Sequence, residues 1–347
     1  MKRILEGVRS FRHDLAGCLH ACAGTLFAYH GIDVIDALGS GWSFYYRRGD
    51  ARREEYYYPC PPGISILQAL APYIDVRSAW CWPDDEGWGP VREQIATFEK
   101  PVAVAVDNYH LPFRPAYQDV HANHLLIVYG FDDEEDTVRV LDAVPPFFEG
   151  DIPRHVLTAA RGSFNPAMHA RDRFFTESPI AHRWLSVDIR RRHEPWDHAK
   201  RMDVLRRNVA RWRAGSPDPA GPSESDERDT YSGMAGQARF LADLADRLGE
   251  AVDEGFIVSG TSLAAAGVHA DWLARAANDV DCAELREIAR GVQRVAHHWT
   301  ALRISIAMAR ELPDGAGRLR RRARALHEDQ QRVLDDLHAY LVRGAET

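Results

Sequence analysis

His124-Leu125-Leu126-Ile127-Val128-Tyr129-Gly130-Phe131, then Asp132-Asp133-Glu134-Glu135-Asp136, then Thr137-Val138-Arg139-Val140-Leu141-Asp142, is the stretch on which the fold turns. Two apolar runs of strand length flank five acidic residues, and that contrast predicts an antiparallel β-hairpin. With the turn centred near Glu134, facing residues have numbers summing to about 268, which sets His124 near Val144 and Asp142 near Leu126. Histidine and carboxylate then share one end of the hairpin, within about two residues of direct pairing. There Asp142 can accept a hydrogen bond from one imidazole nitrogen, fix the tautomer and leave the other nitrogen for a partner. On spacing alone, a satisfied strand-end histidine and a turn aspartate account for the pattern equally well.

Cys18 supplies the candidate partner. It follows Asp14-Leu15-Ala16-Gly17, where a polar, glycine-containing run gives way to an apolar helical one. Cys18 to Tyr29 reads as a helix with Cys18, Cys22, Leu26 and Tyr29 on one face, ended by Gly31. The attacking form of a cysteine is its thiolate. A helix N-terminus favours that form through its unpaired N–H groups and partial positive charge, and the same N–H groups can hold an oxyanion. The order cysteine, histidine, aspartate suggests a papain-like site, although the Cys-Gly-Ser-Cys-Trp signature of papain itself is absent. The plainer account of Cys18 is one more buried apolar residue. Cys22 lies inside the helix and is assigned to packing. A zinc site drawn from Cys18, Cys22, His20, His121 and His124 fits no regular ligand spacing, so no metal is expected.

Two further segments bear on binding. Gly39-Ser40-Gly41-Trp42-Ser43-Phe44-Tyr45-Tyr46 lacks the glycine spacing and lysine of a phosphate loop. It reads either as a tight turn into an aromatic packing strand or as the wall of an acyl or aglycone pocket formed by Trp42, Tyr45 and Tyr46. Asp107 follows the buried strand 101–106, a position where pockets form; it is either a ligand for a cationic amine or part of a solvated loop.

The chain has 347 residues, 45% hydrophobic and 27% charged, with a formal net charge of −8. That length suits two or three domains, and the charge argues against generic nucleic-acid binding. Arg190 to Arg192 and the run Arg318 to Arg324 are expected as solvated ends, with docking of an acidic carrier protein as the less favoured account. Cys18, Cys22, Cys60, Cys81 and Cys282 are an odd, irregular set. With no secretory signal in residues 1–17, they are expected as reduced thiols in a cytoplasmic protein. No apolar run is long enough for a membrane span.

Residues 1–195 mix helix and strand signals: helices at 66–73 and 91–99, and strands at 101–106, 124–131, 137–142 and 184–189. Residues 196–230 read as one helix, at 199–213, and a flexible linker rich in Pro, Gly, Ser and Asp. Residues 231–347 read as helices only, near 234–249, 260–278, 282–311 and 316–342. The fold class is therefore α+β with a C-terminal all-helical domain. Oligomeric state leaves no signal in the sequence.

Gly17-Cys18, His30-Gly31 and Ala37-Leu38-Gly39-Ser40-Gly41-Trp42-Ser43-Phe44-Tyr45-Tyr46 together resemble the N-terminal domain of the butirosin-biosynthesis acyltransferase family. The same family is resembled by Val106-Asp107-Asn108-Tyr109-His110-Leu111-Pro112-Phe113, His121-Ala122-Asn123-His124, Val128-Tyr129-Gly130-Phe131-Asp132 and Leu141-Asp142. The resemblance spans roughly residues 10–190. It implies a papain-like cysteine fold over 1–195, with Cys18 as nucleophile, His124 as base and Asp142 as orienter. It further implies acyl transfer from an acyl carrier protein or coenzyme A thioester to an amine of a small natural product, as in antibiotic biosynthesis. No cofactor of the enzyme's own is implied, since 4′-phosphopantetheine belongs to the donor. The helical domain would supply a lid and the acceptor pocket. The same acyl-enzyme would serve a thioesterase or amide hydrolase if water were the acceptor, or a Dieckmann-type cyclase if an internal carbanion were. A domain that had lost the chemistry would remain as a carrier-protein-binding module.

Overall fold

A computed structural model describes residues 1–47, 67, 75–83, 85, 87–169, 176–189, 196–215, 230–247, 252–308 and 314–344. Among these, in chain order, the strands and α-helices are β1 (Lys2–Ile4), α1 (Cys18–Tyr29), α2 (Val34–Gly39), β2 (Tyr45–Arg47), β3 (Val76–Cys81), α3 (Trp88–Ala96), β4 (Val102–Asp107), β5 (Asn123–Asp132), β6 (Thr137–Asp142), β7 (Phe148–Pro153), α4 (Arg154–Arg161), β8 (Trp184–Ile189), α5 (His198–Ala214), β9 (Thr230–Ser232), α6 (Gly233–Asp246), α7 (Val252–Asp279), α8 (Ala283–Ala307) and α9 (Gly315–Arg343). The expected helix at 66–73, the linker at 216–229 and Cys60 lie outside the described residues, apart from Leu67. Contacts divide the chain into two units: residues 1–32 with 75–193, and residues 33–74 with 194–347.

The first unit is built on an antiparallel sheet with strand order β3-β8-β4-β5-β6-β7, and β1 pairs with the far end of β5. The hairpin register has two halves. Near the turn, Asp132 faces Thr137, Phe131 faces Val138 and Gly130 faces Arg139. Beyond an irregularity between Val128 and Gly130, Val128 faces Val140 and Ile127 faces Leu141. Tyr129 is the extra residue, a β-bulge. Because side chains alternate in a strand, one inserted residue swaps which residues share a face. Continued without it, the inner register would set Asp142 level with Ile127, on the face opposite His124. With the bulge, Asp142 is level with Leu126, on the face of His124. At Gly130 the paired β1 comes so close that a Cβ would lie 2.9 Å from the Arg3 carbonyl oxygen and 3.1 Å from Ile4 Cα.

One layer of the core joins Val102, Val104 and Val106 of β4, Leu126 and Val128 of β5, and Val138 and Val140 of β6 to Val91 and Ile95 of α3 and Leu157 and Ala160 of α4. β4 is buried at every position, as the uninterrupted run of small apolar residues requires. Helix α1 lies against β4 and β5. Residues 18–27 of α1 are all buried, which explains why its sequence is apolar nearly all round. Thr25 ties the approach to α1: its Oγ1 donates to the Ala21 carbonyl at 2.8 Å and accepts from the Phe11 amide at 3.0 Å. The helix ends through His30 and Gly31, the latter at φ +73°, where the Ile32 amide reaches back to the Phe27 carbonyl at 2.9 Å. That closure is the familiar glycine stop.

The second unit holds the long helices α5 to α9, but residues 33–47 also belong to it. This differs from the expected boundary at 195, and the cause is aromatic packing. Trp42 stacks on His269, with centroids 4.6 Å apart, and Phe44 stacks on Trp299 at 5.7 Å. His269 donates from Nδ1 to the Gly39 carbonyl at 2.6 Å, and burial pushes its pKa down to about 4. Asp36 holds Arg201 through three guanidinium contacts, the closest at 3.0 Å, and both side chains are buried. The short strands β2 and β9 pair with each other. Helix α5 is part of this core too, through Val204, Leu205 and Trp212.

Candidate active site

The end of the hairpin carries a buried, fully bonded carboxylate. Asp142 Oδ2 lies 2.9 Å from His124 Nε2 and 3.2 Å from Arg114 Nη1, and Oδ1 accepts from the Val144 amide at 3.0 Å. The Asp142 side chain is wholly buried and that of His124 is 6% exposed. A carboxylate only accepts, so Nε2 carries the proton and Nδ1 the lone pair. Among the described residues, Nδ1 has no hydrogen-bond partner, which leaves it available as a base. Burial alone would raise the Asp142 pKa. The His124 ring, the Arg114 guanidinium and the Val144 amide outweigh it and hold the carboxyl below its ordinary value.

Arg114 was not among the expected site residues. It stands in the loop after β4, and its Nη1 also reaches the carbonyls of Val144 at 3.1 Å and Pro145 at 3.4 Å. It thereby ties the site loop to the end of β6. Nothing in its local sequence marks it. The only available signal is indirect: a buried carboxylate needs more compensation than one histidine supplies.

Cys18 is the first residue of α1 and is buried, at 7% exposure. Its N-cap, Gly17, is extended and makes no side-chain cap, so no side-chain group covers the helix N-terminus from that position. Cys22, one turn on, is buried, and its pKa is driven well above the ordinary thiol value, first by burial and then by the charge of Asp142. Two consequences follow. Cys22 is held as an inert thiol, and the first turns of α1 lie within electrostatic reach of the His124–Asp142 pair. His20 is buried and its pKa is pushed down to about 4 by burial and by His13, so it packs as a neutral ring.

Asp107 is placed differently from an open amine ligand. It is wholly buried, and both oxygens are engaged within the protein: Oδ1 with the amides of Tyr109 and Ala122, each at 3.0 Å, and Oδ2 with His121 Nδ1 and Ser163 Oγ, each at 2.6 Å. His121 and His124 are thus committed to different carboxylates. Among the described residues no group of three or more His, Cys, Asp or Glu side chains is arranged to hold a metal ion. Trp42, Tyr45 and Tyr46 are placed in the core of the second unit. Besides the contacts of Trp42 on His269, Tyr46 donates to Asp243 at 3.1 Å and meets Phe240 edge-on at 5.4 Å, while Tyr45 stands in the β2–β9 pair. All three are buried, so the packing account of this segment describes it and the pocket-wall account does not.

No curated protein matches the chain. A family model described as butirosin biosynthesis protein H, N-terminal, matches residues 17–143. The match opens at Gly17, the residue before Cys18, and closes at Ala143, the residue after Asp142. Through that stretch, which contains Cys18, His124 and Asp142, the chain is similar to the butirosin biosynthesis protein H N-terminal family.

Proposed function

We propose that the first unit is a papain-like cysteine acyltransferase acting in natural-product biosynthesis, with Cys18 as nucleophile, His124 as base and Asp142 as orienter. The observation that carries this reading is the His124 Nε2–Asp142 Oδ2 contact at 2.9 Å, made in a buried setting on strands against which α1 lies. Similarity over residues 17–143 to a family named for butirosin biosynthesis supports the biosynthetic setting.

In this mechanism Cys18 loses its proton to His124 Nδ1, and the imidazolium so formed is stabilised by Asp142. The thiolate attacks the thioester carbonyl of an acyl carrier protein or coenzyme A donor. N–H groups at the start of α1 face the developing oxyanion, each good donor contributing about 3 kcal/mol. Collapse expels the donor thiol, which takes the proton from His124. An amine then attacks the acyl-Cys18 carbonyl, and its surplus proton passes to His124. Collapse to the amide releases the Cys18 thiolate. Thioester exchange is nearly balanced, whereas amide formation is downhill, so the second half drives the cycle. The phosphopantetheine arm comes with the donor.

Intact mass spectrometry after incubation with a panel of acyl thioesters tests the reading. Wild type and Cys22→Ala should gain the acyl mass and Cys18→Ala should not. An adduct on Cys22, or no adduct on wild type with any thioester, removes the assignment. Hydrolysis of the adduct in the absence of amine would instead identify water as the acceptor.

A further inference from the structure

A second carboxylate–histidine pair stands beside the first, and the acyl-transfer steps above do not use it. β4 and β5 pair so that Val106 faces His124 and Asp107 faces Asn123. The Asp107–His121 pair is therefore at the same end of the same two strands as His124. His121 and His124 are three residues apart, so their Cα atoms are at most about 11 Å apart. The pairs also use opposite ring nitrogens: His124 donates to its carboxylate through Nε2, His121 through Nδ1.

Their charge environments differ. Asp142 is matched by the Arg114 guanidinium. Asp107, among the described residues, contacts no lysine or arginine; its partners are His121, Ser163 and two backbone amides. A buried carboxylate with a permanent cation is closed electrostatically, whereas one with only neutral donors still attracts positive charge. Asp107 has no oxygen free to meet that charge, so the attraction is delivered through the ring it holds.

His121 is built to deliver it. With Nδ1–H given to Asp107, Nε2 carries the lone pair and has no hydrogen-bond partner among the described residues. It is not among the buried unpartnered atoms either, and the side chain is 8% exposed, so Nε2 reaches solvent. Tyr109 stacks flat on the ring, centroids 4.1 Å apart and planes 9° from parallel, and His110 stands edge-on at 6.2 Å. Ser163 is itself held by the Asn165 amide at 2.9 Å. The ring is thus fixed in position, tautomer and tilt, with one acceptor atom presented outward and carboxylate charge behind it.

We propose that His121, positioned by Asp107 and Ser163, is a binding site for a primary ammonium group of the acceptor. Nε2 accepts an N–H of the ammonium, and Asp107 strengthens that bond through the ring. Tyr109 adds an electron-rich face beside the cation. The inference rests on the preceding reading only in taking the acceptor to be an amine. His121 would touch substrate; Asp107 and Ser163 would act through it.

The test uses n-butylammonium as probe and n-butanol as its uncharged match, titrated into the full-length protein while the His121 ring signals are followed by NMR. n-Butylammonium should shift those signals and n-butanol should not. His121→Gln, checked for fold by near-UV circular dichroism, should bind the cation at least about tenfold more weakly. Ser163→Ala, which keeps the ring and loosens its support, should bind it a few-fold more weakly. Equal binding of butanol, unchanged affinity in His121→Gln, or cation binding that leaves the His121 signals unmoved overturns the proposal. Acyl-enzyme formation by His121→Gln is measured in parallel, and its loss would place His121 in nucleophile activation and overturn the proposal. Failure of wild type to form an acyl-enzyme would sink the acyltransferase reading, while the butylammonium titration would still judge the site.

Discussion

Replacing Arg114 by Met tests what holds the candidate base in place. Met retains an apolar stem of similar reach and removes the guanidinium. Breaking one partner of a buried ion pair costs about 3–5 kcal/mol, and Arg114 is 11% exposed, which favours the lower end, about 3 kcal/mol. That loss has two parts. The Val144 and Pro145 carbonyls lose a donor whatever the pH, worth about 1 kcal/mol by the usual net value of a hydrogen bond. The remaining part, about 2 kcal/mol, depends on the charge of Asp142. In the wild type its carboxyl lies below its ordinary value. The stability linked to that shift is complete above the unfolded-state pKa, near 4, and is lost as pH falls through the lower folded-state value. Urea denaturation of both proteins across pH should therefore show a gap near 3 kcal/mol at pH 7 that narrows to about 1 kcal/mol once Asp142 is protonated. A gap independent of pH would mean that Arg114 only pins the two carbonyls. A gap below about 0.5 kcal/mol would mean that Asp142 does not need it.

Asp142→Asn should keep the fold but leave His124 without a charged orienter, lowering single-turnover acylation by roughly 10³-fold or more; unchanged acylation removes Asp142 from the site. Gly130→Ala drives a Cβ to 2.9 Å from the Arg3 carbonyl and should cost about 1–3 kcal/mol in urea denaturation. A cost near zero would mean that β1 simply moves away.

The hairpin was legible because five acidic residues separate two apolar runs, and pairing arithmetic then brought His124 and Asp142 to one end. The sum of 268 holds only beyond the bulge at Tyr129; next to the turn the partners sum to 269. No local pattern announces a bulge, since Tyr129 suits a strand as well as its neighbours do. Helix α1 was visible to the residue, from Cys18 to Tyr29, because its glycine stop and apolar run agree. The short strands were not. β7, Phe148-Glu149-Gly150-Asp151-Ile152-Pro153, has too few apolar residues to show a strand, and its proline is tolerable because it lies at a sheet edge. Asp107 stands out in the sequence but its partners do not: Ser163 is far along the chain, and nothing local shows that the carboxylate is already occupied. Trp42, Tyr45 and Tyr46 look alike as pocket wall or as core, and only the position of Trp212, Phe240, His269 and Trp299 decides between them.

The way residues 33–47 are shared has a practical consequence. A gene fragment stopping at codon 195 would look like a complete catalytic module, yet it would discard the helices that shelter Trp42, Phe44 and Tyr46 while retaining those rings. Its product would carry naked aromatic surface and invite aggregation. Anyone seeking a minimal fragment here should shorten loops, not amputate the tail.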